Sequence, residues 1–332
     1  MTPTLRPGRD GDAEGFIALV DACWSEYPGC VLDVDAEVPE LRALATWFAE
    51  AGGALWAAEA DGRIIGMAGT RPLRDDGAWE ICRVYVDRAA RGTGLAHRLL
   101  DTAEAHARAA GARRLVLWSD TRFEAAHRFY EKRGYVRQGS IRILDDLSHS
   151  LEFRYAKPLR GLVVEALDAA AAASAERRLT ELLVACVEAG GSLTYLPPLS
   201  PAVARAYWQR VSSDAALGRC VLLVAWLEGE MVGTVQLGLD MPENQPHRAD
   251  LSKLLVDPGV WRRGVGRALM RRAEQAARGI GRRTLFVDTR AGSAAHALYR
   301  GAGWTELGTI PGFELGPDRR PVDVVFLWKA VA

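Results

Sequence analysis

Two stretches of the chain decide its fold: Glu80–Ala103, EICRVYVDRAARGTGLAHRLLDTA, and Asp250–Ala273, DLSKLLVDPGVWRRGVGRALMRRA. Each begins with residues typical of a strand, up to Val86 or Val256, and continues through a loop with glycines. Each ends with the apolar spacing that predicts a helix. An offset of 170 positions aligns the two stretches without a gap. A single repeat of this length predicts two related domains rather than a solenoid of short units.

The alignment extends well beyond these stretches. It continues to Leu115 and Leu285, and after a one-residue deletion Tyr130 aligns with Tyr299. Both halves share one order of elements: a strand, amphipathic helices, a hairpin, the strand–loop–helix unit, a buried strand, a helix and two closing strands. This is a mixed α/β pattern. We place the domains at residues 1–158 and 162–332, because Pro and Gly interrupt the chain near Lys157–Leu162.

The composition is that of an ordinary globular protein, with 332 residues, 49% hydrophobic and 25% charged. The 42 basic and 42 acidic side chains cancel, which argues against a general nucleic-acid or membrane-surface binder. We expect neither a leader peptide nor a membrane span, since the longest uncharged run, Ala189–Ala204, is short and contains prolines. Five scattered cysteines and six dispersed histidines predict neither a disulfide framework nor a metal site, and favour a reducing cytoplasm.

The loop between strand and helix carries the strongest chemical pattern. It runs over Asp87–Gly94 in the first half, copy one, and over Asp257–Gly266 in the second half, copy two. Glycines admit a ligand close to backbone N–H groups, and a helix N-terminus adds unpaired donors, so such a loop suits a pyrophosphate. Neither copy has the Gly-Lys-Ser/Thr of a Walker loop or the third glycine of a Rossmann loop. Helix initiation without any ligand is the alternative role.

These residues resemble the GNAT superfamily of N-acetyltransferases. The family motif Q/R-x-x-G-x-G/A, between a strand and a helix, is matched by Arg91–Ala96 in copy one. Copy two reads Trp261–Gly266 in the ungapped register, with Trp in place of Q/R. Arg263–Ala268 fits the motif two residues later. A second family motif, a helical Tyr before a Gly-aromatic pair, occurs at Phe129–Tyr135 and Leu298–Trp304.

The resemblance implies two tandem acyl-CoA N-acyltransferase domains of the α/β class, each with a central mixed, mostly antiparallel sheet flanked by helices. It implies acetyl-CoA as cofactor and a small-molecule amine as acceptor. Copy two is further similar to acetyltransferases of the tabtoxin-resistance type, in segments 244–250, 253–256 and 310–313. The residues implied for cofactor binding are Val84, Tyr85, Val86, Arg91, Gly92, Thr93, Gly94, Leu95 and Ala96 in copy one, and Leu254, Leu255, Val256, Arg262, Arg263, Gly264, Val265 and Gly266 in copy two.

Acetyl transfer to an amine needs a base for the ammonium, donors for the carbonyl oxygen and an acid for the leaving thiolate. We assign the acid to Tyr130 and Tyr299, because a Tyr hydroxyl with a pKa of ~10 can still protonate a thiolate whose own conjugate acid has a pKa of ~8.5. Backbone N–H groups at the strand ends, residues 84–86 and 254–256, are the expected carbonyl donors. Packing of each Tyr against the sheet is the alternative role.

For the base we choose Glu80 and Asp250, which strand alternation places on the same face as the last valine of each strand. A structural ion pair with Arg83 or Arg248 is an equally supported role. Cys82 lies two residues after Glu80 and is a conceivable nucleophile. We expect instead a small apolar strand residue, because an unpaired Cys on a strand is usually a buried hydrophobe.

Two further hypotheses stay open. In the first, one domain is catalytic and the other is a non-catalytic coenzyme-binding or dimerisation module, as the departures from the motif at Arg88 and Trp261 suggest. In the second, an Arg cluster at the start of the copy-two helix binds nucleic acid, although the neutral charge opposes this. That cluster comprises Arg262, Arg263, Arg267, Arg271 and Arg272. We expect no nucleic-acid or membrane partner, and either a monomer with an intrachain pseudo-dimer or a homodimer.

Overall fold

The structure is a computed structural model that describes residues 3–74, 77–191 and 193–331. The chain divides into two compact units. Unit one comprises Met1–Val136 with Ser140–Arg160, and unit two comprises Gly161–Ala332 with Arg137–Gly139. Within the described ranges, no helix is both long and apolar enough to cross a membrane.

The first seven-stranded sheet and its helices belong to unit one, apart from residues 137–139 of the sixth strand. Its strands are β1 (Thr4–Pro7), β2 (Ala54–Ala60), β3 (Arg63–Pro72), β4 (Ala78–Val86), β5 (Arg114–Asp120), β6 (Val136–Ile143) and β7 (Leu151–Pro158). Its α-helices are α1 (Ala13–Trp24), α2 (Leu44–Glu50), α3 (Leu95–Ala109) and α4 (Glu124–Lys132). The strand order is β1-β2-β3-β4-β5-β7-β6, in which β4 and β5 run parallel. The pairs β1/β2, β2/β3, β3/β4 and β5/β7 run antiparallel.

Unit two repeats this plan. Its strands are β8 (Leu162–Leu167), β9 (Cys220–Leu227), β10 (Glu230–Gly238), β11 (Arg248–Val256), β12 (Thr284–Arg290), β13 (Thr305–Leu315) and β14 (Pro321–Ala330). Its α-helices are α5 (Ala169–Ser174), α6 (Glu176–Glu188), α7 (Pro201–Ala216), α8 (Val265–Gly279) and α9 (Ala294–Gly301). The strand order is β8-β9-β10-β11-β12-β14-β13, and the one parallel pair among the described pairings is β11/β12. The predicted fold class, two tandem mixed sheets flanked by helices, is confirmed.

The helix after each loop packs on one face of its sheet. Leu95 and Leu99 of α3 are fully buried, as are Val265 and Leu269 of α8. Burial of each such side chain favours folding by about 1.5–3 kcal/mol. Gly66 of β3 allows α3 to come close, because an added Cβ there would lie 2.9 Å from Leu99 Cδ1. Sheet and helix together therefore fix where the helix N-terminus lies relative to the strand end.

A β-bulge interrupts the central strand of each unit. In β4, Cys82 and Tyr85 pair with Gly69 and Met67, so two residues of β4 oppose a single residue of β3. The residue after Cys82 is Arg83, which has a φ of +55°. Left-handed backbone of this kind is costly for a non-glycine residue, and is typical of bulges beside functional sites.

Unit two has the same bulge at the matching position. Leu255 of β11 pairs with Thr234 and Ser252 with Gln236, and Lys253 has a φ of +50°. The repeat therefore extends to an irregularity of the backbone. The sequence-based expectation of regular alternation did not include this feature.

The bulge corrects the prediction that Glu80 and Asp250 share a face with the last valine of their strands. One extra residue reverses the alternation, so each carboxylate lies on the opposite face. Val86 packs in the core beneath α3, whereas Cys82 and Tyr85 pack toward α1 and α2. The candidate base and the strand-end valine therefore belong to different layers of the unit.

Beyond the bulge the central strand separates from its parallel neighbour. The parallel pairing of β4 with β5 ends at Glu80, which lies opposite Val116. In unit two the pairing of β11 with β12 ends at Asp250, opposite Phe286. The last six residues of each central strand therefore have no strand partner on that side, which opens a cleft at the loop.

Candidate active site

The loop at the open end of each cleft presents backbone donors. In unit one, a short 3-10 turn is capped by Asp87, whose Oδ1 accepts from Ala89 N at 2.8 Å. Among the described residues, the N–H groups of Gly92–Ala96 donate no hydrogen bond to the protein. A Cβ added at Gly92 or Gly94 would meet nothing within 4 Å. Successive free donors beside open space at a helix N-terminus fit a phosphate or pyrophosphate group.

The loop of unit two has the same construction. Gly264, at a φ of +84°, occupies the N-cap position that Gly94 occupies at a φ of +85°. Both have open space where a Cβ would stand. In the described chain, the N–H groups of Val265 and Gly266 are also without acceptors. The structure thus equates the two loops in the ungapped register, not in the register shifted by two residues.

Trp261 takes over the role that Arg91 has in unit one. Arg91 Nε donates to Val86 O at 3.1 Å, and Trp261 Nε1 donates to Val256 O at 2.8 Å. Each contact joins the loop to the last residue of the central strand. The departure from the motif at Trp261 therefore preserves the local geometry with a different donor.

The cationic groups of the two loops differ. The Arg91 guanidinium is occupied by Glu26, at 2.7 and 2.6 Å. This contact lowers the pKa of the Glu26 carboxyl, against a smaller opposing effect of burial. Arg262 and Arg263 replace Gly92 and Thr93 in unit two, and within the described residues neither forms an ion pair. Both are exposed and suited to a phosphate.

Two predicted loop residues have another role. Gly266, expected within the loop, is the second residue of α8, and an added Cβ would lie 2.9 Å from Leu298 Cδ2. Glycine is needed there for packing against α9. Thr93 Oγ1 donates to Ala90 O at 2.7 Å, which closes the turn of the first loop.

The two candidate acids lie in matching positions on α4 and α9. Tyr130 is 7% exposed and Tyr299 is 3% exposed. Within the part of the chain described, neither hydroxyl has a hydrogen-bond partner. Burial raises the pKa of both hydroxyls above the ordinary value of a tyrosine. Both are therefore kept protonated, as a proton donor must be.

The surroundings of these tyrosines differ between the units. After burial, the groups that raise the pKa of Tyr130 are Tyr85, Cys82 and Tyr155. The strand residues beside the bulge in β4 are thus within electrostatic reach of its hydroxyl. For Tyr299 the corresponding neighbour is Asp288 of β12, which is itself within reach of Asp250 and Lys253.

Each candidate base is engaged by an arginine. Arg71 of β3, not Arg83, holds Glu80, with Nε and Nη2 both 2.7 Å from Oε2. Arg248 lies beside Asp250, with Nε at 3.2 Å from Oδ1. The side chain of Glu80 is 12% exposed and that of Asp250 is 43% exposed. Asp250 is therefore the more accessible carboxylate.

Cys82 is unsuited to nucleophilic chemistry. Burial, together with the nearby Glu80, raises the pKa of its thiol to about 12. Since the thiolate is the reactive species, this site suppresses it. The sequence-based preference for a small apolar strand residue agrees with this environment.

Sequence reasoning considered Arg83 only as an ion-pair partner of Glu80, and it missed Lys253 and the carboxylate of Asp288. The offset of 170 positions aligns the two cations, which was a usable signal. Their left-handed backbone conformation follows from the bulge, which no periodicity shows. Arg83 pairs with Glu40, whereas Lys253 has no ion pair among the described residues.

Both units thus combine a mixed sheet, splayed at a bulge, with a glycine loop at the N-terminus of a helix. The family model described as Acetyltransferase (GNAT) family matches residues 16–135 and 192–304. The chain belongs to this family and contains the family's domain twice in tandem. The narrower similarity of copy two to the tabtoxin-resistance type stays a prediction.

Among curated proteins, mycothiol acetyltransferase of Thermobispora bispora is 32% identical over 139 residues, 40% of this chain and 45% of that protein. N-acetylaspartate synthetase of Rattus norvegicus is 32% identical over 93 residues, 27% of this chain and 30% of that protein. The alignments span less than half the length of these relatives. Their names therefore carry over to this chain only as proposals.

Solved structures similar to this chain cover about half of it. The structure of yncA from Salmonella typhimurium with its cofactor acetyl-CoA has a TM-score of 0.44 at 19% identity, and covers 52% of this chain and 95% of that one. Ribosomal-protein-alanine N-acetyltransferase from Brucella melitensis has a TM-score of 0.43 at 25% identity, and covers 51% of this chain and 99% of that one.

Proposed function

We propose that the protein is an acetyl-CoA-dependent N-acetyltransferase that acetylates a primary amine of a small molecule by direct attack in a ternary complex. The observation that carries this proposal is the run of free N–H donors at Gly92–Ala96, repeated around Gly264 in unit two, beside a cleft where two parallel strands separate. Such a loop suits the pyrophosphate of a coenzyme, and the cleft suits an extended chain that continues from it.

The residues present fit acetyl-CoA, which when bound supplies an acetyl group as a thioester. The loop N–H groups of both units would hold its phosphates, with Arg262 and Arg263 adding charge in unit two. The strand ends Val84–Val86 and Leu254–Val256 would offer backbone hydrogen-bonding groups to the extended part of the coenzyme, because no described strand pairs with them on the cleft side.

The protein's own groups supply the acid–base chemistry. Asp250 or Glu80, directly or through water, takes the proton that the amine must lose before it has a lone pair to attack with. Backbone N–H groups beyond the bulge stabilise the negative charge that acyl transfer places on oxygen. The hydroxyl of Tyr130 or Tyr299 donates a proton to the departing sulfur.

The names of the relatives are compatible with a small acceptor. Mycothiol acetyltransferase and N-acetylaspartate synthetase both refer to small molecules. From these names we extend to this chain only the small-molecule class of acceptor. From the sequence we propose a cytoplasmic location and no nucleic-acid partner. Domain limits of 1–158 and 162–332, and a monomer or homodimer, complete the proposal.

A second candidate is that unit two alone is catalytic. It is favoured by the contrast between Asp250, with a 43% exposed side chain, and Glu80, with a 12% exposed side chain held by Arg71. In this version unit one is a coenzyme-binding or packing module. The departure at Trp261 does not oppose it, because the tryptophan keeps the loop contact.

Calorimetric titration of the intact chain with acetyl-CoA, followed by coenzyme A release in the presence of amines, tests both versions. Two binding sites would support a working loop in each unit. One site, abolished by a change in a single loop, would support the second candidate. Absence of acetyl-CoA binding would contradict the proposed function altogether.

A further inference from the structure

The bulge residue of each central strand is a cation, Arg83 in unit one and Lys253 in unit two. Arg83 and Lys253 are both partly buried. Because φ values of +55° and +50° strain a non-glycine backbone, the fold holds these residues in place against a cost. The two cations are equivalent by position, so the difference between their partners is informative.

In unit one the cation is satisfied by the protein itself. The Arg83 guanidinium forms an ion pair with Glu40, which lies in the turn before α2. Both side chains are about four-fifths buried. The anionic partner that this position requires is thus part of the chain.

In unit two no such carboxylate is in contact. Lys253 Nζ donates to Thr194 Oγ1 at 3.1 Å and lies 5.3 Å from the ring centroid of Tyr207. Among the described residues it forms no ion pair within 4 Å. Burial lowers the pKa of this ammonium group, and the more distant Asp288 opposes the effect only in part.

Near Lys253 lies a buried donor without an acceptor among the described residues, the side-chain amide of Gln236. Tyr207 OH donates to Gln236 Oε1 at 2.8 Å, which orients the amide. Gln236 is 6% exposed, and within the described chain its Nε2 has no hydrogen-bond partner. An unpaired buried amide donor is costly, and a ligand acceptor would relieve the cost. Thr194, Tyr207, Gln236 and Lys253 together are called the Lys253 cluster below.

Charged groups of both signs lie near the cluster. Arg210 lies 5.9 Å from the ring of Tyr207 and adds positive charge. Asp288 is within electrostatic reach of Lys253, Asp250 and Glu314, and Asp250 is also paired with Arg248. An amine would favour the carboxylates, and an anionic group would favour the cluster.

We propose that the Lys253 cluster binds a carboxylate on the acceptor of unit two, so that this unit acetylates amines that also carry an acid, as α-amino acids do. The proposal rests on the proposed function for the transfer step but not for the binding step. The substrate carboxylate would pair with Lys253 in unit two as the Glu40 carboxylate pairs with Arg83 in unit one. It acts as an acceptor-binding residue and takes no part in proton transfer.

The test compares each α-amino acid with its α-carboxamide, which lacks the charge. Binding is measured by calorimetry on the intact chain with the N-acetylated forms of both, and transfer is measured by coenzyme A release with the free amines. The variants are Lys253→Met, Lys253→Arg and, as a control that removes a positive charge from an exposed position on α8, Arg271→Met. Acetyl-CoA titration of each variant verifies that it is folded.

We expect wild type to bind at least one carboxylate probe about tenfold or more tightly than its amide, as a charge-assisted contact would produce. Lys253→Met should abolish that preference, whereas Lys253→Arg and Arg271→Met should retain it. Equal binding of acid and amide in wild type, binding of neither, or a preference that survives in Lys253→Met would overturn the proposal.

The two proposals fail separately. A Lys253-dependent preference for carboxylates, without coenzyme A release in the presence of any amine, would support the anion site and contradict the transferase function. Coenzyme A release that is as fast with carboxamides as with amino acids would leave the function standing and contradict the role of Lys253.

Discussion

Trp261 Nε1 donates a hydrogen bond to Val256 O at 2.8 Å and thereby ties the loop of unit two to the end of its central strand. Arg91 makes the equivalent contact in unit one, with Val86 O at 3.1 Å. Two chemically different side chains thus serve one geometric need. In both units the carbonyl of the last strand residue is therefore occupied by a side chain of the loop.

Trp261→Phe removes this donor and keeps most of the ring. We expect a loss of about 0.5–1.5 kcal/mol in the free energy of unfolding, because a net protein hydrogen bond contributes about that much. Trp261→Arg should lose less, since an Arg donor satisfies the same carbonyl in unit one. Urea denaturation of the three proteins measures the difference. Equal stability of Trp261→Phe and wild type would show that the contact is dispensable.

Gly264→Ala should weaken binding of acetyl-CoA at unit two. A Cβ would enter the open space beside the free N–H groups, and a φ of +84° costs an L-residue about 1–2 kcal/mol. Gly279→Ala is a matched control, because Gly279 lies in the last turn of α8 with no atom within 4 Å of an added Cβ and no left-handed φ. Calorimetric titration should show one weakened site in Gly264→Ala and unchanged affinity in Gly279→Ala.

The stability of the protein should decline above pH ~10. The folded-state pKa values of Tyr130, Tyr135, Tyr207 and Tyr299 are all raised, chiefly by burial. A group whose pKa is raised on folding contributes fully below its unfolded pKa of ~10 and loses that contribution as the pH rises, by up to about 1.4 kcal/mol per pH unit for each tyrosine.

Tyr130→Phe and Tyr299→Phe should each reduce this alkaline slope by up to one proton. Stability at pH 8 should change little, because neither hydroxyl has a hydrogen-bond partner among the described residues. Denaturation curves between pH 8 and pH 11 measure the slope. A slope unchanged in both variants would mean that the two hydroxyls titrate in the folded protein as they do in the unfolded chain.

The parts of the fold that local patterns encode were predictable from the sequence. The strand, the glycine loop and the helix of each repeated stretch, from Glu80 to Ala103 and from Asp250 to Ala273, all occur where the repeat indicated. These features depend on apolar periodicity and turn chemistry within a few residues. The tandem GNAT architecture followed from their recurrence.

The bulge is what periodicity could not reveal. Because Arg83 and Lys253 are ordinary strand residues by composition, nothing local marks the inserted residue. The face of Glu80 was therefore predicted wrongly, and its partner Arg71, from the neighbouring strand, was not foreseen. The catalytic assignments to Glu80, Asp250, Tyr130 and Tyr299 stay predictions. So do the limits of the two domains, which separate expression of residues 1–158 and 162–332 would test.

Asp250→Asn should lower kcat for acetyl transfer about 100-fold or more, with little change in acetyl-CoA affinity, because a positioned base contributes about 10²–10⁴-fold. Glu80→Gln should have a smaller effect, since Arg71 already occupies Glu80 Oε2 and the side chain is 12% exposed. The pH–rate profile distinguishes a base from a structural carboxylate. If Asp250 is the base, the acidic limb of the profile should disappear in Asp250→Asn. Asp250→Glu should restore part of the rate. A structural role beside Arg248 would instead lower stability and leave the shape of the profile unchanged. Should Glu80→Gln prove the more damaging of the two, unit one would be the catalytic unit, and the exposure of Asp250 would need to be explained by binding alone.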